Sequence, residues 1–387
     1  MLFKIAMIFV YPMTYQHDFI DSISNIPEHT WNSLTNDHVF SSYAWLSALE
    51  ISKCVNKQTG WQPQHLVIKQ NNHIVAILPG YLKNHSYGEY VFDWAFAEAY
   101  ERYGLEYYPK WLCGVPFTPV QGPRTLCKRI TPELITYIEA TLLKLKEDGF
   151  SGIHLNFLSE HNHFANTTLI PRRNVQFHWQ NKGYQNFCDF LSALNARKRK
   201  MINKERLKVQ QQNLTICWFS GNEINDALLD AFYLSYRLTY LKRSGHNGYL
   251  NREFFALLIK SLSHAVRLCC AFKSDDVVAT SLYFVSDDTL YGRYWGAIES
   301  QYDSLHFELC YYQGIELAIR EGIVTFDAGA QGEHKLARGF EPVWRHSYHT
   351  LFRPEFKIAL QDYCERETQA LQQYFIECEA KLPFKHQ

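Results

Sequence analysis

A chain of 387 residues exceeds what one ordinary hydrophobic core supports, so two folding units are expected. With 47% hydrophobic and 20% charged residues it has the composition of a soluble globular protein, and a formal net charge of zero excludes a global field drawing it to nucleic acid or membrane. Any such attraction must come from a local patch. The 16% aromatic content suits a protein that stacks on or clamps a sizeable ligand, although packing accounts for most of it.

The ten cysteines are scattered without a C-x-x-C pair, which fits neither a zinc site nor a disulfide framework. They read as buried cytosolic thiols, so the protein is expected to be cytoplasmic and at most peripheral to a membrane. His161-x-His163 and His346-x-x-His349 lack accompanying ligands at a known metal spacing, and no metal is expected. Met1 to Pro12 is apolar but shorter than a membrane span and lacks a small-residue cleavage site; it reads as an extra strand or an upstream start, with a cut signal peptide as the alternative.

Along the chain a helix is predicted over Tyr43 to Val55, then a hairpin of His65–Lys69 and Ile74–Leu78 turning at Asn71-Asn72. A strand at Lys110–Gly114, a helix at Pro132 to Glu147 and a buried strand at Ile153–Phe157 follow. The order then repeats. Helices near Asp226–Leu241 and Arg252–Leu262 precede a hairpin of Arg267–Phe272 and Val277–Phe284, and then come Leu290–Gly296, a helix from Phe307 to Arg320 and a strand at Ile323–Phe326. A meander joined to one crossover helix gives a mixed sheet with helices on both sides, an α+β unit. Two such units are expected, 1–180 and 181–387, with the junction between Gln176 and Tyr184.

After the junction lies the one strong charge cluster, Asn195 to Lys208. On a helix Arg197, Lys200, Lys204 and Lys208 form one cationic stripe, spaced to meet the phosphate oxygens of a nucleic acid or to lie as a solvated face. Near the end, Phe326 to Pro342 packs Glu333, His334, Lys335 and Arg338 between Gly329, Gly332 and Gly339. The glycines permit a sharp turn or close approach of a ligand to the backbone, and on a helical turn the polar groups converge, so the stretch reads as a site.

At these motifs the chain resembles the FemAB-like, or peptidoglycan biosynthesis/recognition, proteins of the GNAT acyltransferase superfamily. The resemblance rests on Thr59-Gly60-Trp61, His85 to Trp94, Tyr107 to Lys110, Pro116 to Pro119 and Gln176 to Trp179. Further on it rests on Arg197 to Lys200, Tyr291 to Gly296, His306 to Gln313 and Gly329 to Lys335. Ala328 departs from an expected proline, and Arg345 and Thr350 interrupt the usual threonine and tryptophan. The resemblance implies tandem GNAT-like folds, similar to the Fem aminoacyltransferases that move an amino acid from aminoacyl-tRNA to an amine.

Acyl transfer to an amine needs a deprotonated nucleophile and donors for the tetrahedral oxyanion. In a GNAT fold the fourth and fifth strands splay to receive the acyl carbonyl; here these are Leu290–Gly296 and Ile323–Phe326. Alternation puts Tyr291, Arg293 and Trp295 on one face, and an Arg between two aromatics asks for an anion. Glu333, His334, His306 and Glu308 are the candidate acids and bases, the Glu333-His334 pair being preferred. Arg293, Trp295, Tyr312, Lys335 and Arg338 are the candidate substrate-binding residues, the last two cations facing a donor phosphate or an acceptor carboxylate.

Acetyl-CoA-dependent members hold pyrophosphate with a glycine-rich loop after the fourth strand, and here that span, Gln301 to His306, has serine and histidine in place of the glycines. No tightly bound cofactor is expected. The co-substrate expected is aminoacyl-tRNA, with acyl-CoA as the alternative, and the acceptor is an amine on a peptidoglycan precursor or small metabolite. A non-catalytic module binding cell wall or nucleic acid is the remaining alternative.

Overall fold

A computed structural model of the chain describes residues 15–299, 301–330 and 332–385, and the expectation for Met1 to Pro12 lies outside them. The strands in chain order are β1 (Tyr15–Ile20), β2 (Trp61–Pro63), β3 (His65–Gln70), β4 (His73–Leu78), β5 (Gly80–Lys83), β6 (Lys110–Cys113), β7 (Leu126–Cys127) and β8 (Gly152–Leu155). They continue with β9 (Ile170–Gln180), β10 (Thr215–Ser220), β11 (Val266–Lys273), β12 (Asp276–Ser286), β13 (Thr289–Ala297), β14 (Thr325–Asp327) and β15 (Phe340–Leu351).

Both expected hairpins form. Asn71 and Asn72 both adopt positive φ between β3 and β4, the primed turn whose twist matches the strands. Helices are capped as their sequences suggest. Thr131 accepts from the Leu134 amide before Pro132–Leu143, and Asn195 accepts from the Lys198 amide at 3.0 Å before Ala196–Gln210. Among the elements absent from the sequence reading are the helix Trp94–Arg102, the C-terminal helix Pro354–Ala380 and the strands β1, β5, β10 and β15.

The strands form a four-stranded sheet, β1-β3-β4-β7, and an eleven-stranded sheet, β10-β11-β12-β13-β14-β9-β15-β8-β6-β5-β2. The large sheet is continuous across the expected junction. β9 ends at Gln180 yet pairs with β14 and β15, while β15 pairs with β9 and β8, so the last strand of each half is held by strands of the other. This exchange places Asp327 opposite His178 and, on the other side, His154 opposite His349.

Aromatic packing also ties the halves together. Phe40, just before the helix Tyr43–Ile51, and Trp45 within it meet Tyr291 and Phe284 edge to face, each with ring centroids 4.9 Å apart. Trp45 is fully buried, and such a side chain contributes about 1.5–3 kcal/mol by leaving water. No helix among the described residues is long and apolar enough to cross a membrane.

Candidate active site

The parallel pairing of β13 with β14 ends at Tyr291 opposite Asp327; β13 runs on to Ala297, whereas the other chain turns away through Ala328 and Gly329. A gap opens between them. At its start the register of β12 against β13 slips, Leu282 facing Tyr294 and Tyr283 facing Gly292, which leaves Arg293 as an extra residue. Such a bulge re-aims a side chain. The alternation expected for Tyr291, Arg293 and Trp295 therefore breaks: Tyr291 joins the core with Phe40, while Trp295 faces the opposite cluster.

The bulge turns Arg293 onto Asp327. Nη2 donates to Oδ2 at 2.6 Å and Nη1 to Oδ1 at 3.2 Å, with both side chains almost fully buried. His178 Nε2 lies 3.4 Å from Asp327 Oδ2, and Arg345 donates to His178. Although burial opposes ionisation, Arg293 and His178 hold the Asp327 carboxyl well below the usual carboxylate range. The anion that Arg293 asks for is thus its own neighbour.

Asp327 also fixes the glycine loop, accepting from the Gly329 amide at 2.9 Å. Lys335, fully buried, donates to the Gly329 carbonyl at 2.5 Å. Burial lowers its ammonium to about 8, with Arg293 adding to the effect and Asp327 opposing it. Gly332, at φ 115°, then leads into the short helical turn Glu333–Arg338, which Gly339 ends in the left-handed conformation.

From the other side comes the helix that follows β13. Ser304, left-handed at φ 63°, precedes Leu305–Phe307, and the turn Glu308–Tyr312 is a π-helix. The wide turn leaves the Leu309 carbonyl to accept from the buried Tyr283 hydroxyl. It also presents Cys310 and Tyr311 to the gap, where the Tyr311 hydroxyl meets His334 Nε2 at 2.7 Å. His306 lies edge-on to Trp295 at 5.3 Å, and its ring is 6.2 Å from that of His334.

These groups line a cavity of about 780 Å³ with walls from both halves, Tyr90, Phe117 and Pro119 from the first and Tyr236, Tyr240, Tyr249 and Tyr294 from the second. Burial lowers the His306 imidazole to about 4, helped by His334 and Arg243, and burial with Arg338 lowers His334. Both rings are neutral at pH 7 and able to accept a proton. Burial raises the Tyr311 phenol far enough to keep it a donor. No Asp or Glu among the described residues lines the cavity.

Of the residues proposed from sequence, Arg293, Trp295, His306 and His334 line this cavity. The others do not. Glu333 is exposed and its Oε1 accepts from Tyr374 of the C-terminal helix at 2.9 Å, so the expected Glu333-His334 pair is split. Successive residues of a tight turn face different ways, which the convergence argument overlooked. Glu308 is buried against Arg206, 2.9 Å from its Nη2, and Gln313. Arg338 donates to Glu205 at 2.7 Å and to the Tyr312 hydroxyl at 2.9 Å while covering the Phe307 ring; Tyr312 also bonds Glu205. Lys335 lies beneath the loop.

The helix Ala196–Gln210 thus braces the site with its inner face, through Glu205 and Arg206, and leaves Arg197, Lys200 and Lys204 exposed on the outer one. Lys208 is exposed as well but pairs with Asp303 at 3.3 Å. Sequence reasoning missed Asp327, His178 and Arg243. Asp327 directly follows the predicted strand, but His178 and Arg243 are distant in sequence and carry no motif.

A gap between parallel strands, roofed by a helix and a glycine loop within an α+β fold, is the class of site this architecture presents. The chain belongs to the FemAB-like family of peptidoglycan biosynthesis/recognition proteins, whose profile matches residues 22–386. Among solved structures it is similar to FemX, at 11% identity and a TM-score of 0.53, with 89% of this chain and 99% of that one covered. The L-PGS of Bacillus licheniformis is similar at 7% identity and a TM-score of 0.51, covering 88% and 97%. So is the C-terminal domain of an Agrobacterium fabrum protein assigned as a lysylphosphatidylglycerol synthetase, at 8% identity and a TM-score of 0.51, covering 87% and 95%. At these identities the likeness is one of fold. No curated protein sequence matches significantly.

Proposed function

We propose that this protein is an N-acyltransferase that moves an aminoacyl group from aminoacyl-tRNA to an amine in the cavity between β13 and β14. One observation carries the reading: the strand gap is faced by neutral His334, hydrogen-bonded to Tyr311, with neutral His306 beside it. The amine nitrogen attacks the acyl carbonyl carbon and forms the new C–N bond, while His334 takes the proton the nitrogen loses. With His334 Nε2–H donating to its oxygen, Tyr311 donates its own proton to the oxyanion, and the ester bond breaks as the leaving ribose oxygen receives the proton held on His334 Nδ1. Arg293 and Lys335 position the loop and do not touch the reacting atoms.

Two features support tRNA as donor over acyl-CoA. The turn before Leu305 lacks glycine, and its Asp303 is anchored by Gln212 and Lys208. The helix that braces the site turns Arg197, Lys200 and Lys204 to solvent. FemX and L-PGS, whose folds this chain shares, make an amine or lipid acceptor related to the cell envelope the first class to test.

The test supplies purified protein with tRNA charged with labelled amino acids, or with labelled acetyl-CoA, and peptidoglycan-precursor amines. Transfer from charged tRNA supports the reading, together with tRNA binding whose salt dependence flattens when Arg197, Lys200 and Lys204 become Gln. Transfer from acetyl-CoA alone replaces the donor, and transfer from neither removes the proposal.

A further inference from the structure

The cations proposed from sequence to hold an anionic substrate group are engaged within the protein: Arg293 with Asp327, Arg338 with Glu205, Lys335 with the Gly329 carbonyl. Arg243 is different. It stands in the last turn of the helix Asp226–Ser244, is exposed, lines the cavity, and makes no hydrogen bond or ion pair with another described residue.

Its charge is nevertheless felt inside. Arg243 is among the causes that hold the His306 imidazole down, and it works against burial at Cys310 and Tyr311 by favouring their ionised forms. Three cavity groups therefore feel the charge of this cavity-lining side chain.

The surroundings offer it no counter-ion. The cavity has no carboxylate among the described residues, and the acids behind its wall are taken: Asp327 is shared by Arg293, Arg345, Lys335 and His178, and Glu205 is held by Arg338 and Tyr312. A cationic ligand group finds aromatic rings here but no carboxylate among the described residues. An oxyacid group finds a planar fork of donors at the rim and a positive floor beneath.

We infer that Arg243 is the anion-recognition residue of this cavity, receiving a carboxylate or phosphate carried by one of the two substrates. The inference rests on the cavity being the acyl-transfer site and deepens that reading. A carboxylate next to the amine would mark the acceptor as an amino acid or a peptide end. A phosphate would belong to the nucleotide end of the donor.

Calorimetric titration with two pairs of probes tests it: L-tyrosine against L-tyrosinamide, and adenosine 5′-monophosphate against adenosine. The proteins compared are wild type, Arg243→Gln, Arg243→Lys and the control Lys242→Gln, an exposed neighbour outside the cavity wall. In wild type and Lys242→Gln the anionic member of one pair should bind about tenfold or more tightly than its neutral partner. That preference should vanish in Arg243→Gln and survive in part in Arg243→Lys. The pair that shows it names the substrate.

Equal affinities within both pairs, including no binding by any probe, would overturn the inference, as would a preference that persists in Arg243→Gln. Binding is read here without turnover. A protein that shows the preference but transfers no acyl group loses the function proposed above while keeping its anion site, and one that transfers without the preference does the reverse.

Discussion

The Tyr311 hydroxyl lies 2.7 Å from Nε2 of His334, joining the π-turn after β13 to the glycine-bounded loop after β14. His334→Ala should lower turnover by roughly 10²–10⁴-fold with little change in Tm, since the residue sits at the mouth of the cavity and outside the core. Tyr311→Phe should lower kcat more than it raises KM, because the hydroxyl acts on the oxyanion rather than on the bound ground state. Glu333→Gln should stay near wild type, its partner being Tyr374 outside the cavity. Full activity in both His334→Ala and Tyr311→Phe would move the search for the base to His306.

The acid limb of the kcat/KM profile should follow from the same ring. Burial and Arg338 lower His334, so the neutral base persists at pH values below the ordinary imidazole pKa of about 6.5. If His306 is the base instead, the limb should fall near pH 4. Profiles of wild type and His334→Ala separate the two.

Asp327→Asn should destabilise the protein by about 3–5 kcal/mol in urea unfolding, because it leaves the buried Arg293 guanidinium without its counter-charge. Replacing both partners with apolar residues should recover part of that loss. Recovery of fold without activity would assign the pair to positioning the loop, and a neutral single variant would show that the ion pair bears little stability.

Gly332→Ala should impair activity before stability. At φ 115° any side chain is strained, and a Cβ there would run into the His334 ring. Gly329→Ala meets nothing closer than 3.7 Å and should be milder, its cost arising from φ 93° alone. Paired turnover and Tm measurements on the two variants decide it, equal damage being the adverse result.

Acid should unfold the protein well before its carboxylates are protonated. Burial lowers His38 and His154 to about 3, His178 to about 4 and His349 well below its ordinary value, against about 6.5 in an unfolded chain. Between those values the unfolded state binds protons that the folded state refuses, so stability held above about pH 6.5 drains as pH falls. Tm should decline across this window, and His154→Gln with His349→Gln should flatten the decline if the fold survives. A Tm constant from pH 7 to 4.5 would contradict it.

Much of the fold was legible because local signals agree with it: Asn71-Asn72 between β-branched runs, Thr131-Pro132 opening a helix, and the repeated element order. The exchange of β9 and β15 was not, since an eleven-residue strand looks the same whichever sheet accepts it. In the site, the sequence brought the right loop forward and then misjudged which side chains face the gap. A single bulge at Arg293 and a π-turn at Glu308 reverse the faces that regular periodicities of two and 3.6 assign. Charged residues misled for a related reason: Glu308, Lys335 and Arg338 find partners far along the chain, in Arg206, the Gly329 carbonyl and Glu205, which spacing alone does not reveal.

Because among the described residues β9 pairs only with strands that follow Gln180, and β15 only with β8 and β9, the chain behaves like a clasp in which each half fastens the last strand of the other. A fragment stopping after Gln180 would carry the eleven residues of β9 with no neighbour on either side, a bare edge open to aggregation. The complementary fragment would carry β15 in the same condition. Produced together, the two pieces offer each other the missing neighbours, so the natural way to halve this protein is by fragment complementation, with the cavity rebuilt only when both pieces meet.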